Sequence, residues 1–414
     1  MFDFDRFASM SEQIKEALVG LKSDNLQSII DQADRDSHFP AEVIQYIHQS
    51  GVMAVNSPQS FGGMGAGHAG LVILLSEIAQ HSPATAQILC MHLCAMPFIC
   101  RQASSEAQTA LVREILSEGK ICAFPMSEPG TGNKLWHMSS FGVREGDAIS
   151  FNAVKSIVTS AGVADYYIVA VRDGELASSN ELVLSLVPAT TPGIEAKKAM
   201  DSLGMRGSSS APMTFNIKGL SSDYIFGDPE ASFAMLMAYS YPPYMLGLAA
   251  VYYGIARRCY DIACDHVQKR RFSDNNLTLS EHETVQAKIA HMRFQLSSLS
   301  AWLQRTAQVC DEVEQFLDHA RQNGQFFDVI SQSDDEQFID LVGLKVVASQ
   351  TAEALAVQAL DLCGGQAYCR GHAVERFLRD AFAGRLQGPA NATSEVLAGK
   401  LILGLGLPWE QDGA

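Results

Sequence analysis

The sequence predicts an α+β chain in three successive parts: a helical domain over 1–122, a β domain over 123–230 and a helical bundle over 231–414. Three observations carry this. The first 120 or so residues hold apolar stretches at helical spacing, punctuated by Pro and Gly. Near Cys122 the pattern turns to short runs that alternate or stay apolar, bounded by Gly, Ser, Asn or Pro. After Phe233 long helical patterns return.

The elements follow in order. Met10 to Leu21 is amphipathic. Pro40 at a first helical position and Gly51 just past an end bracket PAEVIQYIHQS. SPQSFGGMGAG is a Gly- and Ser-rich loop, and HAGLVILLSEIAQ and ATAQILCMHLCAMPFICRQA are apolar enough for buried helices. AISFNAV and PMTFNIKGL alternate as half-buried strands do, and YYIVAVR and ELVLSLVPA are short apolar runs that are also strand-like. Leu246 to Gln268 is a long helix. Ser280 followed by Glu283 has capping-box spacing before a second one, the acidic stretch 322–337 reads as a loop, and Leu341 to Leu362 is a third long helix.

Composition narrows the function classes. Hydrophobic residues make up 47% and charged residues 18%, so part of the surface is expected to be covered, most simply in a homo-oligomer. A net charge of −16 without a basic patch excludes nucleic acid as a partner. The nine cysteines form no CxxC pair, and their odd number without a secretory signal suits reduced thiols and a cytoplasmic location. Cys90 and Cys94, four apart, read as helix packing, and no metal site is expected. No apolar run reaches the roughly 18 residues of a membrane span.

Six blocks carry the chemistry. MSEPGTGN (126–133) offers hydroxyls, backbone amides and two glycines in a tight loop, the kind of backbone that approaches a flat ligand or a phosphate; alone it also fits an ordinary turn. FNAVKSIVTSAGVADYYIVAVR follows, then GIEAKKAMDSLGMRGSSSAPMTFNIKGL, then VQKRRFSDNNLTLSEHETVQAKIAHM, ALDLCGGQAYCRGHAVERFLRD and GPANATSEVLAGKLILG. In this order, over residues 10 to 405, they resemble the acyl-CoA dehydrogenase family.

The resemblance implies an N-terminal helical domain, a middle β-barrel, a C-terminal four-helix bundle, FAD as cofactor and a dimer or tetramer. Met126, Ser127, Gly132, Ile157 and Thr159 would face the flavin, and Asn133 the substrate. Arg270, with Phe272 beside it, would pair with the FAD diphosphate across a subunit interface, where a guanidinium fork suits two phosphate oxygens. Gly364 and Gly365 would lie against the diphosphate of a neighbouring copy, and Thr393 and Glu395 would contact flavin and adenine. Arg206 would serve either structure or the acyl carrier, with structure the preferred reading.

The chain also departs from the family. Ile157 replaces a Trp beside the flavin, and Asp361 replaces a Gln near the diphosphate, where a carboxylate is repulsive. Most consequential is the base. The family carries a Glu shortly after the Arg-Asp pair; counting forward from Asp380 gives Gly388, and counting back from Thr393 gives Asn391. Neither accepts a proton at neutral pH. The family's alternative position holds Tyr244, a poor base with a reference pKa near 10.

Three functions remain open at this level. The first is an FAD-dependent oxidoreductase on the CH–CH group of an acyl thioester, CoA-bound or carrier-bound, with a non-standard or missing base and an electron-transfer flavoprotein as partner. The second is a flavin-dependent monooxygenase or oxidase, and the third a non-catalytic flavin-binding protein.

Overall fold

Chain texture and packing agree over most of the molecule. The computed structural model describes residues 4–131, 134, 137–178, 180–273, 276–330 and 335–408. Six helices come first: α1 (Phe4–Ala17), α2 (Asp24–Asp36), α3 (Ala41–Gln49), α4 (Gly67–Ala79), α5 (Pro83–Gln102) and α6 (Glu106–Glu118). Side chains of Ser23, Ser82 and Ser105 accept N–H groups of the first turns of α2, α5 and α6. Helix α5 is long and apolar enough to cross a membrane by length and composition, contrary to the sequence expectation, yet 94% of that window is buried inside the protein. It is apolar all round because other elements surround it.

Eight strands follow among the described residues: β1 (Cys122–Ala123), β2 (Gly142–Glu145), β3 (Ala148–Val158), β4 (Tyr166–Arg172), β5 (Leu182–Pro188), β6 (Ile194–Ala196), β7 (Ala211–Ser221) and β8 (Ile225–Phe226). They form two four-stranded sheets, β1-β4-β5-β8 and β2-β3-β7-β6. The expected barrel is therefore not closed: each sheet ends on strands of two to four residues, too short to complete a ring of pairing. Strands β4 and β5 are buried along nearly their whole length, whereas β3 alternates between buried and exposed positions. The β3–β7 register shifts between Lys155 and Val158, an irregularity that re-aims Ser156 and Ile157.

Among the described residues seven α-helices follow: α7 (Pro229–Tyr239), α8 (Tyr241–Lys269), α9 (Glu283–Gln322), α10 (Phe326–Ile330), α11 (Asp335–Cys363), α12 (Ala373–Ala381) and α13 (Asn391–Ile402). Helices α8, α9 and α11 pack on one another, α13 adds to α11, and α4 and α5 lie against α8. Two local expectations are corrected. The capping box is Thr278 with Glu281, whose carboxylate accepts the Thr278 N–H at 2.6 Å, and not Ser280 with Glu283. Within 322–337 the described residues 326–330 and 335–337 are helical rather than loop, and Phe326 is drawn into the core against the Tyr239 ring at 6.1 Å between centroids.

Candidate active site

A cavity of about 600 Å³ opens between the sheet domain and the bundle. Its walls are the loop 126–131, the end of β3, the loop 200–210, the α7–α8 junction and the turn 382–389. Each wall is held by polar groups that the fold has brought together.

Glu128 anchors the first. One carboxylate oxygen meets the fully buried Lys155 ammonium at 2.8 Å, and the other accepts the N–H groups of Ser139 at 2.6 Å and Ser140 at 3.1 Å. Burial alone would raise the Glu128 pKa, but Lys155 and these donors outweigh it and hold it at about 2. The Ser156 N–H donates to the Ser127 carbonyl at 2.9 Å, which ties the loop to β3.

The loop 200–210 is pinned to α12. Asp380 accepts the Met205 N–H at 2.6 Å, and burial lifts its carboxyl pKa to about 6. Arg379 makes a two-pronged contact with Asp34 at 2.6 and 2.9 Å. Gly204 passes so close that a Cβ there would lie 2.3 Å from the Arg379 carbonyl oxygen, which excludes any larger residue. Arg206 donates to the Asp34 carbonyl at 2.8 Å.

The turn 382–389 closes the cavity against α8 and α11. The Tyr244 hydroxyl donates to the Gly388 carbonyl, and the Tyr252 hydroxyl donates to the Gln387 side chain at 2.6 Å. Behind the turn sits Lys345, fully buried, whose ammonium donates to the carbonyls of Gly384 at 2.9 Å, Gln387 at 2.9 Å and Pro389 at 3.0 Å and to Asn391 Oδ1 at 2.9 Å. Burial pulls its pKa down to about 7.

Of the residues singled out from the sequence, Met126, Ser127, Ile157, Thr159, Tyr244 and Gly388 line this cavity. Asn391 does not: it is buried behind the turn, donating to Ser349 Oγ at 2.9 Å, because Lys345 pulls its side chain toward α11. Arg270, Phe272, Asp361, Gly364, Gly365, Thr393 and Glu395 also lie outside the cavity lining of this single chain. Arg270, Asp361, Gly364, Gly365 and Glu395 are exposed, and a Cβ at Gly364 or Gly365 would meet nothing within 4 Å. The resemblance assigns Arg270 and the two glycines to contacts across a subunit interface, and all three are exposed in one copy. Gly132 and Asn133 lie outside the described residues.

Sequence reasoning passed over Glu128, Lys155 and Lys345. Their signal was present: Lys345 stands alone in LVGLKVVAS, where a charge within an apolar helix must find partners.

The arrangement fits a flavin. Backbone N–H groups of Met126 and Ser127 and the Thr159 hydroxyl find no partner among the described residues, so the β-domain wall presents open donors beside an apolar slot. A flavin ring needs such an edge contact and flat apolar cover. The only carboxylate among the described lining residues is Glu128, already committed to Lys155. Burial raises the Tyr244 phenol well above its ordinary range.

Comparison with known proteins agrees with this geometry. The chain matches family models described as acyl-CoA dehydrogenase N-terminal domain over 10–119, middle domain over 123–217 and C-terminal domain over 246–387. It is 28% identical over 374 residues to the human mitochondrial short-chain specific acyl-CoA dehydrogenase, covering 90% of this chain and 85% of that one. Butyryl-CoA dehydrogenase from Megasphaera elsdenii superposes with a TM-score of 0.81 at 19% identity, over 97% of this chain and 99% of that one. The prolyl acyl carrier protein oxidase AnaB superposes with a TM-score of 0.79 at 17% identity, over 97% and 100% of the two chains.

Proposed function

The chain belongs to the acyl-CoA dehydrogenase family of FAD-dependent oxidoreductases, and we propose that it acts on the CH–CH group of an acyl thioester without a carboxylate at the α-carbon. One observation carries this reading. Gly388 lines the cavity, has no side chain to take a proton, and has a backbone N–H with no acceptor among the described residues.

A free N–H at that wall suits a thioester carbonyl oxygen. Donation there withdraws charge from the carbonyl and makes the α-hydrogen more acidic, the role of an oxyanion-stabilising donor. FAD, when bound along the 126–131 loop and Thr159, supplies a hydride acceptor or donor. The protein's own part is to hold the carbonyl, cover the ring and exclude water.

Proton abstraction is the weak step. Glu128 is held at about pH 2 by Lys155, far too acidic for a base. Tyr244 donates its hydrogen to Gly388, and its raised pKa leaves almost no phenolate. A positioned general base ordinarily contributes about 10²–10⁴-fold, so dehydrogenation here should be slow by that order.

The acyl carrier is CoA or a carrier protein; both kinds of thioester occur in the names of the proteins this chain resembles. An electron-transfer flavoprotein is the proposed acceptor and the cytoplasm the proposed location, in keeping with nine free thiols. Ile157 favours a second reading. It is 54% exposed beside the cavity and provides no aromatic screen, which suits an oxidase or monooxygenase whose reduced cofactor meets oxygen.

Anaerobic titration of the holoprotein with acyl thioesters tests the reading. Slow loss of oxidised-flavin absorbance supports it. No spectral response to any thioester, whether CoA-bound or carrier-bound, rejects it.

A further inference from the structure

We infer that Lys345 is a positioning residue that aims the Gly388 N–H at the substrate carbonyl. The inference rests on the reading of Gly388 given above.

The geometry begins with the peptide unit between Gln387 and Gly388. It is trans, so its C=O and N–H point in opposite directions. The Gln387 carbonyl is held by the Lys345 ammonium at 2.9 Å, beneath α11. The Gly388 N–H must therefore point away from Lys345. Gly388 lines the cavity, and its N–H finds no acceptor among the described residues. One end of this peptide is anchored in the core and the other is left open to a ligand.

The remaining contacts stop the unit from rotating. Lys345 also grips the Gly384 and Pro389 carbonyls on either side, at 2.9 and 3.0 Å. Tyr244 holds the Gly388 carbonyl from α8, and Tyr252 holds the Gln387 side chain. Gly384 lets the turn pack directly on α11, since a Cβ there would lie 2.5 Å from the Ser349 Cβ.

Charge adds to position. No carboxylate pairs with Lys345 among the described residues; its four partners are neutral oxygens. In its protonated form, Lys345 on the carbonyl end of the peptide draws electrons from the N–H end and strengthens that donor, as hydrogen-bond chains do in a low-dielectric interior. A buried ammonium without a counter-ion is costly. At this place it holds a peptide that faces the core at its carbonyl and the cavity at its N–H.

The test compares two ligands built on pantetheine, the arm common to CoA and carrier proteins. Acetyl-pantetheine has the carbonyl but no β-hydrogen, so it binds without being oxidised. Ethyl-pantetheine thioether lacks the carbonyl. Affinities are read from flavin absorbance changes in the holoprotein. One carbonyl hydrogen bond is worth about 1–1.5 kcal/mol, so the native protein should prefer the thioester about tenfold. In Lys345→Met that preference should fall to near unity while thioether binding changes by less than about twofold.

A Lys345→Met protein that keeps the tenfold preference overturns the inference. A native protein that binds thioester and thioether equally overturns the reading of Gly388 itself. If Lys345→Met does not hold flavin, a crystal structure of the native holoprotein with acetyl-pantetheine decides. The expected result is the carbonyl oxygen within about 3.2 Å of Gly388 N, with the Gln387 carbonyl on Lys345. A carbonyl bound to another donor, or a Gln387 carbonyl turned off Lys345, overturns it.

Discussion

Gly388 and Asn391 stand three residues apart, and the sequence offers both as the place of a lost carboxylate. They face different ways: Gly388 meets the cavity, and Asn391 meets Lys345 and Ser349. A carboxylate should therefore restore proton abstraction only at the first. Gly388→Glu is expected to speed thioester-dependent flavin reduction by about 10²-fold or more, measured by anaerobic stopped-flow absorbance. Asn391→Glu is expected to leave that rate unchanged and, by overfilling a closed site, to lower stability by about 1–3 kcal/mol in a denaturant titration. A second residue-scale prediction concerns Glu128. In Glu128→Gln the buried Lys155 loses its counter-charge, at a cost of about 3–5 kcal/mol by the same measurement. Because the Glu128 pKa is depressed, its contribution is present above pH 4.5 and is lost as pH falls toward about 2. Motif order was enough to bring Met126, Ser127, Thr159 and Gly388 to one cavity. It was not enough to separate Gly388 from Asn391, because side-chain direction in an irregular turn depends on what lies behind it. Here that is a lysine more than forty residues upstream in sequence.

Helix α4 shows the same dependence one scale higher. Its N-terminus carries no cap of its own. Asp311, on α9, supplies it by accepting the His68 N–H at 2.6 Å and the Ala69 N–H at 3.3 Å. The same carboxylate lies 3.0 Å from His68 Nδ1, and Glu314 lies 3.7 Å from Nε2. Burial works against a charged imidazole, but the two carboxylates outweigh it and raise the His68 pKa above 6.5. The ion-pair contribution is therefore complete below pH 6.5 and disappears as pH rises through the folded-state value. Asp311→Asn should lower the melting temperature throughout, since it weakens the cap, and by a larger margin at acid pH. Thermal melts of both proteins from about pH 5.5 to about pH 8.5 check this; a gap that widens toward alkaline pH would contradict it. The helix itself was legible from its apolar run. Its cap was not, because donor and acceptor lie more than two hundred residues apart.

At the scale of the molecule, apolar residues remain uncovered in one copy. Ile402, Leu403 and Leu405 lie at and just beyond the end of α13 and are each more than half exposed, as is Leu386 on the turn beside the cavity. Together with the family's usual tetramer, this makes a mass in multiples of 44.8 kDa the expected result of sedimentation. A paired change, Ile402→Glu with Leu403→Glu, should shift the protein to a smaller species; an unaltered mass would place the interface elsewhere.

The division between sequence and fold follows from the range of the forces involved. Periodicity, turn residues and motif order are local, and they determined the helical–β–helical sequence of elements and a glycine at 388, where motif spacing looked for a carboxylate. Tertiary structure alone decided that the sheets stay open, that Asn391 turns inward and that Lys345 holds the turn. Each of those outcomes depends on where buried polar groups find partners, and a buried charge takes them from wherever in the chain the fold delivers them.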